Sequence, residues 1–444
     1  LEDAEQKAPV RPDGDNALGP KDKVKDTKAS GRNGRKPLPK DLPRERIEHL
    51  PDQDALRCQT CGCQKQRIGE EITEQLDYVP ASFVVRQHVR GKYACKACQD
   101  GVVIADLPAR PIEKGRPGVG LLAHILTSKY ADHLPLHRQE GIFKRHGLDI
   151  RRSTMCDWVG QSAELLAPLV KEMKRQILLS AKIHTDDTSV PVRNGPRKQI
   201  RKGYLWVYID VKNNVVFDYT PTRARDGPVA FLGDYAGFIQ ADAYAGYDAV
   251  FEKGRATEVG CWAHARRKFY EAKETDPARG HEMLVLIGEL FQVESRAKEE
   301  KLNAAAIKVL RQKYSRPILD RIKQRLETFS IEVLPKSPMG QAIGYARGQW
   351  DALNQYLENG ILSIDNNLSE RTLRMVVIGR KNWLFAGHDN GAKRAAIIYS
   401  LIASCKLCQI DPFAYLQDVL ERVSTHPASR IKELTPPHWQ SSNN

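Results

Sequence analysis

Residues 182–220, KIHTDDTSVPVRNGPRKQIRKGYLWVYIDVKNNVVFDYT, are where the helical spacing of the preceding chain gives way to strands. Three runs rich in Val, Ile, Tyr and Thr, at 182–192, 203–211 and 215–220, are divided by an Asn-Gly turn and an Asn-Asn turn, the pattern of an antiparallel meander. Residues 237–241 (GFIQA) and 257–262 read as a fourth and a fifth strand, with a short helix over 228–235 between the third strand and the fourth. Strands followed by alternating helix and strand predict an α/β sheet covered by helices on both faces.

Downstream, apolar residues fall at three- and four-residue steps, first Leu284, Ile287 and Phe291, then Ile307, Leu310, Tyr314, Ile318 and Ile322. Residues 263–362 therefore read as an all-helical insertion. SIDNNLSERTLRMVVIGRKNWLFAG (363–387) begins a helix capped by Ser363, Asp365 or Asn366 and returns the chain to the core, which spans 176–262 and 363–400. A helical segment closes the chain at 401–444. Upstream, 109–175 is a small helical region in which Ser153 can cap a helix behind the turn HGLDIRR. That arrangement suits either a helix-turn-helix placing Arg151 and Arg152 near a DNA backbone or an ordinary helical bundle.

The chain has 444 residues, with 69 Lys and Arg against 55 Asp and Glu, a net charge of +14 that attracts polyanions, nucleic acid above all. Residues 1–57 read as a basic, Gly- and Pro-containing flexible linker, which serves as a tether or meets phosphates through Arg32, Arg35, Lys36 and Lys40. The strongly apolar run 395–405 is far shorter than the roughly 20 residues that span a bilayer, so no membrane helix is expected. The opening lacks the apolar core of a signal peptide and starts at Leu1 without methionine, so the expectation is a cytoplasmic protein whose native start is missing.

Between 58 and 98, CQTCGC and CKAC place Cys58, Cys61, Cys95 and Cys98 as two knuckles with the spacing of one tetrahedral zinc ion. Cys63 or His88 is an alternative ligand, and residues 83–85 and 91–94 are expected as strands of a zinc ribbon over 58–108. Cys405 and Cys408 lie in an apolar stretch with no second pair to join, as buried helix thiols do.

Three carboxylates stand out at the ends or inward faces of these elements: Asp186, Asp242 and Glu370. A carboxylate in an apolar-flanked strand is costly unless a cation or hydrogen bonds compensate it. Hard oxygen ligands on two strands and a crossing helix can hold two Mg²⁺ or Mn²⁺ ions for phosphoryl transfer. Simpler roles stand beside this one: Asp242 capping a turn, Asp187 taking the inward place of Asp186, Glu370 pairing with Arg374.

HTDDT around Asp186, QADAYAGYD around Asp242, CWAHARRKF (261–269) and DNNLSERTLR through GRKNWLFAG (365–387) resemble the transposase of the insertion sequence 66 family, of the DDE type. The resemblance runs from about residue 34 to about 423. It implies a ribonuclease H-like catalytic core with a helical insertion, preceded by the zinc ribbon and small helical region. It also implies Asp186, Asp242 and Glu370 as the metal-binding catalytic triad, and hydrolysis at the element's ends followed by attack of the 3′-hydroxyl on target DNA. The implied partners are double-stranded DNA (terminal inverted repeats and target), a second copy when paired on DNA, and the element's accessory proteins. Asp187 departs from the Glu often found there. His264, Arg266, Arg267 and Lys268, and Arg371, Arg374, Arg380 and Lys381, are candidate phosphate contacts, and Trp383 reads as core. The competing readings are a metal-dependent nuclease of the same fold and a DNA-binding remnant without chemistry.

Overall fold

A computed structural model describes residue 46 and residues 82–94, 102–107, 109–113, 115, 117–194, 199–252 and 254–441. The chain divides into two units, 1–85 and 86–444. In the first, residues 83–85 form no ladder, although a strand is expected there. In the second, β1 (Lys92–Ala94) pairs antiparallel with β2 (Val102–Ile104), so the expected strand at 91–94 closes a local hairpin. A short loop closes at less entropic cost than a longer one. Cys58, Cys61, Cys63, Cys95 and Cys98 lie outside the described residues.

Three helices follow: α1 (Val119–Tyr130), α2 (Leu136–Arg145) and the long α3 (Arg152–Ile177). Arg151 occupies the cap of α3 without a side-chain bond, and Ser153, expected as the cap, lies inside the first turn. The sheet then forms from β3 (Lys182–Asn194), β4 (Gln199–Asp210), β5 (Val215–Thr220), β6 (Phe238–Gln240) and β7 (Thr257–Val259) in the order β5-β4-β3-β6-β7. The first three strands are the antiparallel meander read from sequence. Parallel β6 and β7 are added on the far side of β3.

Helix α4 (Asp226–Leu232) ends earlier than its apolar pattern suggests, because Gly233 takes a φ of +56°. Helix α5 (Asp248–Phe251) connects β6 to β7. β7 is shorter than expected: at Gly260 the backbone meets the insertion, donating to Ala352 O at 2.8 Å, and a Cβ there would lie 3.0 Å from Leu353 N.

The insertion comprises α6 (Trp262–Ala272), α7 (Pro277–Glu299), α8 (Ala304–Glu332), α9 (Pro338–Gly348) and α10 (Trp350–Asn354). It has its own core, in which Ile287 and Leu290 meet Leu319, Ile322 and Leu326. On α8 the buried stripe lies further along than the sequence pattern suggests, leaving Tyr314 exposed. The chain returns through α11 (Asn367–Trp383), α12 (Asp389–Leu407) and α13 (Pro412–Arg422), which share the sheet's hydrophobic core with α1 and α3.

Helix α12 also closes an edge of the sheet. β5 is an outer strand with backbone donors to satisfy, and the Ser400 and Ser404 hydroxyls accept from Phe217 N and Val215 N, each at 2.8 Å. Cys405 on this helix is buried and Cys408 half-buried, and Trp383 packs against the core, partly buried. Among the described residues no helix is long and apolar enough to cross a membrane.

Candidate active site

The site opens where the parallel ladder ends. β3 and β6 pair Lys182 with Phe238, Ile183 with Ile239 and His184 with Gln240. The same sequence offset separates Asp186 from Asp242, and two residues beyond the ladder the two carboxyls lie near enough for Asp242 to raise the pKa of Asp186. Crevices at the carboxyl ends of strands are where α/β sheets bind ligands.

Asp186 accepts a hydrogen bond from the backbone N–H of Asp187 at 2.7 Å, and among the described residues no cation pairs with it. Burial, then the adjacent Asp242, then Asp187 and Glu370 push its carboxyl from 3.8 up to about 7. Asp187 points to the opposite face and meets a different fate. The Arg223 guanidinium grips it through bonds of 2.8, 2.9 and 3.1 Å, while stacking 4.1 Å above the Tyr244 ring. The two neighbouring aspartates therefore differ in kind: one is neutralised, the other is not.

Asp242 lies two residues beyond the end of β6. Its Oδ1 accepts from Tyr244 N at 3.2 Å and closes a turn in which Ala243 has a φ of +65°. The turn-capping role thus engages one oxygen and leaves Oδ2 without a donor among the described residues.

Glu370 stands in the first turn of α11, but its carboxylate faces α6. Oε1 is 3.5 Å from His264 Nε2 and Oε2 is 3.6 Å from Arg267 Nη2, with the Glu370 side chain 31% exposed. These separations are longer than hydrogen bonds, and so exposed a pair is held weakly. Among the described residues, no three His, Cys, Asp or Glu side chains are gathered closely enough to hold a metal ion as they stand. The donor set nevertheless suits a hard divalent cation. Two interacting carboxylates, one of them half-buried and without a counter-charge, lack the positive charge such an ion would bring.

The candidate basic residues fall into two groups. Arg266 and Arg267 are exposed on α6, with Lys268 lying 4.8 Å over the Tyr345 ring, and Arg371, Arg374 and Lys381 are exposed on α11. Arg380 instead turns back onto β3, donating to Ser189 O and, at 3.3 Å, to Ser189 Oγ.

What positions α11 is a buried polar strap that the sequence reading missed. Asn366 stands at the cap of the helix, but its side chain accepts from no backbone N–H of the first turn. Its Nδ2 donates to Thr185 O at 2.8 Å, and its Oδ1 accepts from Ser369 Oγ and from His184 Nδ1, each at 3.0 Å. An amide oxygen only accepts, so Nδ1 of this imidazole carries the proton. Burial and nearby Lys182 push His184 down to about 3, keeping it neutral. Lys182 donates to Ile361 O at 2.7 Å, and Gln240 Oε1 accepts from Ser363 N at 3.3 Å. Buried Arg311 pairs with Glu294 and donates to the carbonyls of Tyr356, Asn359 and Leu362. The available signal was polar residues alternating with Ile183 and Thr185 in a central strand, where each must find a partner.

The description "Transposase IS66 family" matches residues 114–394, "IS66 C-terminal element" residues 400–436, and "zinc-finger binding domain of transposase IS66" residues 56–99. Among curated relatives, the uncharacterized protein y4hP of Sinorhizobium fredii (strain NBRC 101917 / NGR234) is 32% identical over 435 residues, covering 92% of this chain and 77% of that protein. The uncharacterized protein y4jD of the same strain is also 32% identical, over 454 residues, covering 98% and 87%. A third, y4qI, is 33% identical over 410 residues, covering 88% and 75%.

Proposed function

This chain belongs to the IS66 transposase family, and from that premise we propose that it cuts the ends of a mobile element and joins the freed 3′-hydroxyl to target DNA. The observation that carries this reading is the pair of interacting aspartates, Asp186 and Asp242, at the open end of parallel strands, one of them half-buried without a counter-charge. The order of the five strands and the return of α11 against β3 support a ribonuclease H-like core.

Asp186 and Asp242, joined by Glu370, would hold Mg²⁺ or Mn²⁺. When bound, two such ions supply activation of the attacking oxygen and stabilisation of the leaving oxygen. The chain's own residues do the rest. Arg223 keeps Asp187 neutralised, so the unpaired negative charge is concentrated at Asp186 and Asp242. The strap through His184 and Asn366 fixes the start of α11, and hence Glu370, against β3. His264 and Arg267 hold Glu370 loosely; a DNA phosphate competing for these cations would release it toward the aspartates. Arg266, Lys268, Arg371, Arg374 and Lys381 add positive charge for the strand.

In this reading Cys58, Cys61, Cys95 and Cys98 hold one structural zinc ion, all within the span that matches the zinc-finger description. Two copies assemble on paired ends in the cytoplasm, with the element's accessory proteins. The test is incubation of the purified chain and Mg²⁺ with DNA carrying the element's terminal repeats. Nicked and joined products are expected from the wild type and none from Asp242→Ala or Glu370→Ala, with DNA binding retained; full activity in Asp242→Ala would refute the assignment.

A further inference from the structure

Beside Glu370, a groove of about 580 Å³ runs between α6, α7 and the start of α11. Arg266, Arg267 and Tyr270 line it from α6, Gly288 and Phe291 from α7, and Asn367 from α11. On α6 the lining residues, with Ala263, follow three- and four-residue steps, so one helical stripe faces the opening. No carboxylate lines it. It offers two guanidinium groups and two aromatic rings, and Lys273 adds a third cation 4.2 Å from the Tyr270 ring centre. A second groove, between α7 and α8, is different: its arginines are already paired, Arg321 with Glu289 and Arg325 with Glu282.

The guanidinium group of Arg266, which pairs with no carboxylate among the described residues, and that of Arg267, held only loosely by Glu370 at 3.6 Å, lie beside the exposed Tyr270 ring and the partly buried Phe291 ring, and together match the two parts of a nucleotide, its phosphate and its base. A double helix hides its base faces by stacking, so rings of this kind are useful only to a base that has left the stack. The groove's position specifies which nucleotide that is. Arg267 touches Glu370, and Asn367 precedes that acid by one turn on the same helix.

We propose that this groove holds one unstacked nucleotide of the strand being cut, its base against Tyr270 and Phe291 and its phosphate on Arg266 and Arg267. The assignment rests on the DNA-cutting reading above for the identity of the strand. Occupancy of Arg267 by phosphate would also remove one of the two cations that hold Glu370 toward α6. Gly288 leaves the groove open: a Cβ built there meets nothing within 4 Å, so a side chain at this position starts unobstructed into the space a base would take.

The test uses the full chain in EDTA, with fluorescence anisotropy of a labelled dT12 oligonucleotide and of a blunt duplex. Tyr270→Ala and Gly288→Leu are each expected to weaken dT12 binding about fivefold or more while leaving the duplex within about twofold. Arg267→Gln is expected to flatten the dependence of log affinity on log salt for dT12 by about 0.7, the loss of one phosphate contact. Circular dichroism melts confirm that each variant is folded. Unchanged dT12 affinity in both Tyr270→Ala and Gly288→Leu overturns the site, as does an equal loss on dT12 and duplex. Because no metal is present, a chain that binds dT12 in this way but never nicks DNA with Mg²⁺ keeps the groove and loses the transposase reading.

Discussion

Replacing Asp186 with asparagine is expected to make the metal-free protein more stable, although it removes a proposed metal ligand. In the folded chain this carboxyl is pushed from 3.8 up to about 7 by burial and by Asp242. Its protonated form is thus favoured by folding: the stability it contributes is fully present below pH 4 and is lost as pH rises through 7. Above both values the folded state carries a penalty of about 4 kcal/mol, the product of that displacement and about 1.4 kcal/mol per pH unit. Asparagine keeps an oxygen for the N–H of Asp187 and ionises in neither state. Allowing for relaxation around the amide, Asp186→Asn should gain about 2–4 kcal/mol at pH 8 and almost nothing at pH 4. Thermal unfolding by circular dichroism in EDTA reads this as a midpoint several degrees above wild type at pH 8, converging at pH 4. Millimolar Mg²⁺ should raise the wild-type midpoint and leave the variant nearly unmoved. A variant no more stable than wild type at pH 8, or equally stabilised at both pH values, would show that Asp186 is not an uncompensated carboxylate.

Other expectations concern the supports of the site. Asn366→Ala leaves His184, Ser369 and Thr185 O without their partner in the core and should cost about 2–4 kcal/mol in urea unfolding, with DNA nicking lost faster than binding. Arg311→Met strands Glu294 and three carbonyls of the segment before α11, a loss of about 3–5 kcal/mol; an unchanged urea midpoint would remove Arg311 from this role. Wild-type protein should carry one equivalent of zinc by elemental analysis and Cys58→Ser none, whereas Cys405→Ser should keep it.

The sequence by itself determined a good deal here, because the signals involved are local. Strand period and turn residues located the meander over 182–220. Three- and four-residue spacing located the insertion, and long phrases around Asp186, Asp242 and Glu370 carried the family. Local patterns were poorer at boundaries that distant contacts set, such as the early end of β7, where the backbone of Gly260 meets the insertion.

Tertiary structure alone decided the relations between residues far apart in the chain. That Asp186 rather than Asp187 lacks a counter-charge depends on Arg223 reaching one face of β3 and not the other. That Asp186 adjoins Asp242 follows from the register of a parallel pair with two strands and a helix between them in sequence. That Glu370 faces His264 and Arg267, and that Arg380 holds Ser189 instead of meeting solvent, depends on how α6 and α11 pack. A sequence pattern carries side-chain chemistry and local period, but pairing energies belong to neighbours brought together only when the chain closes on itself.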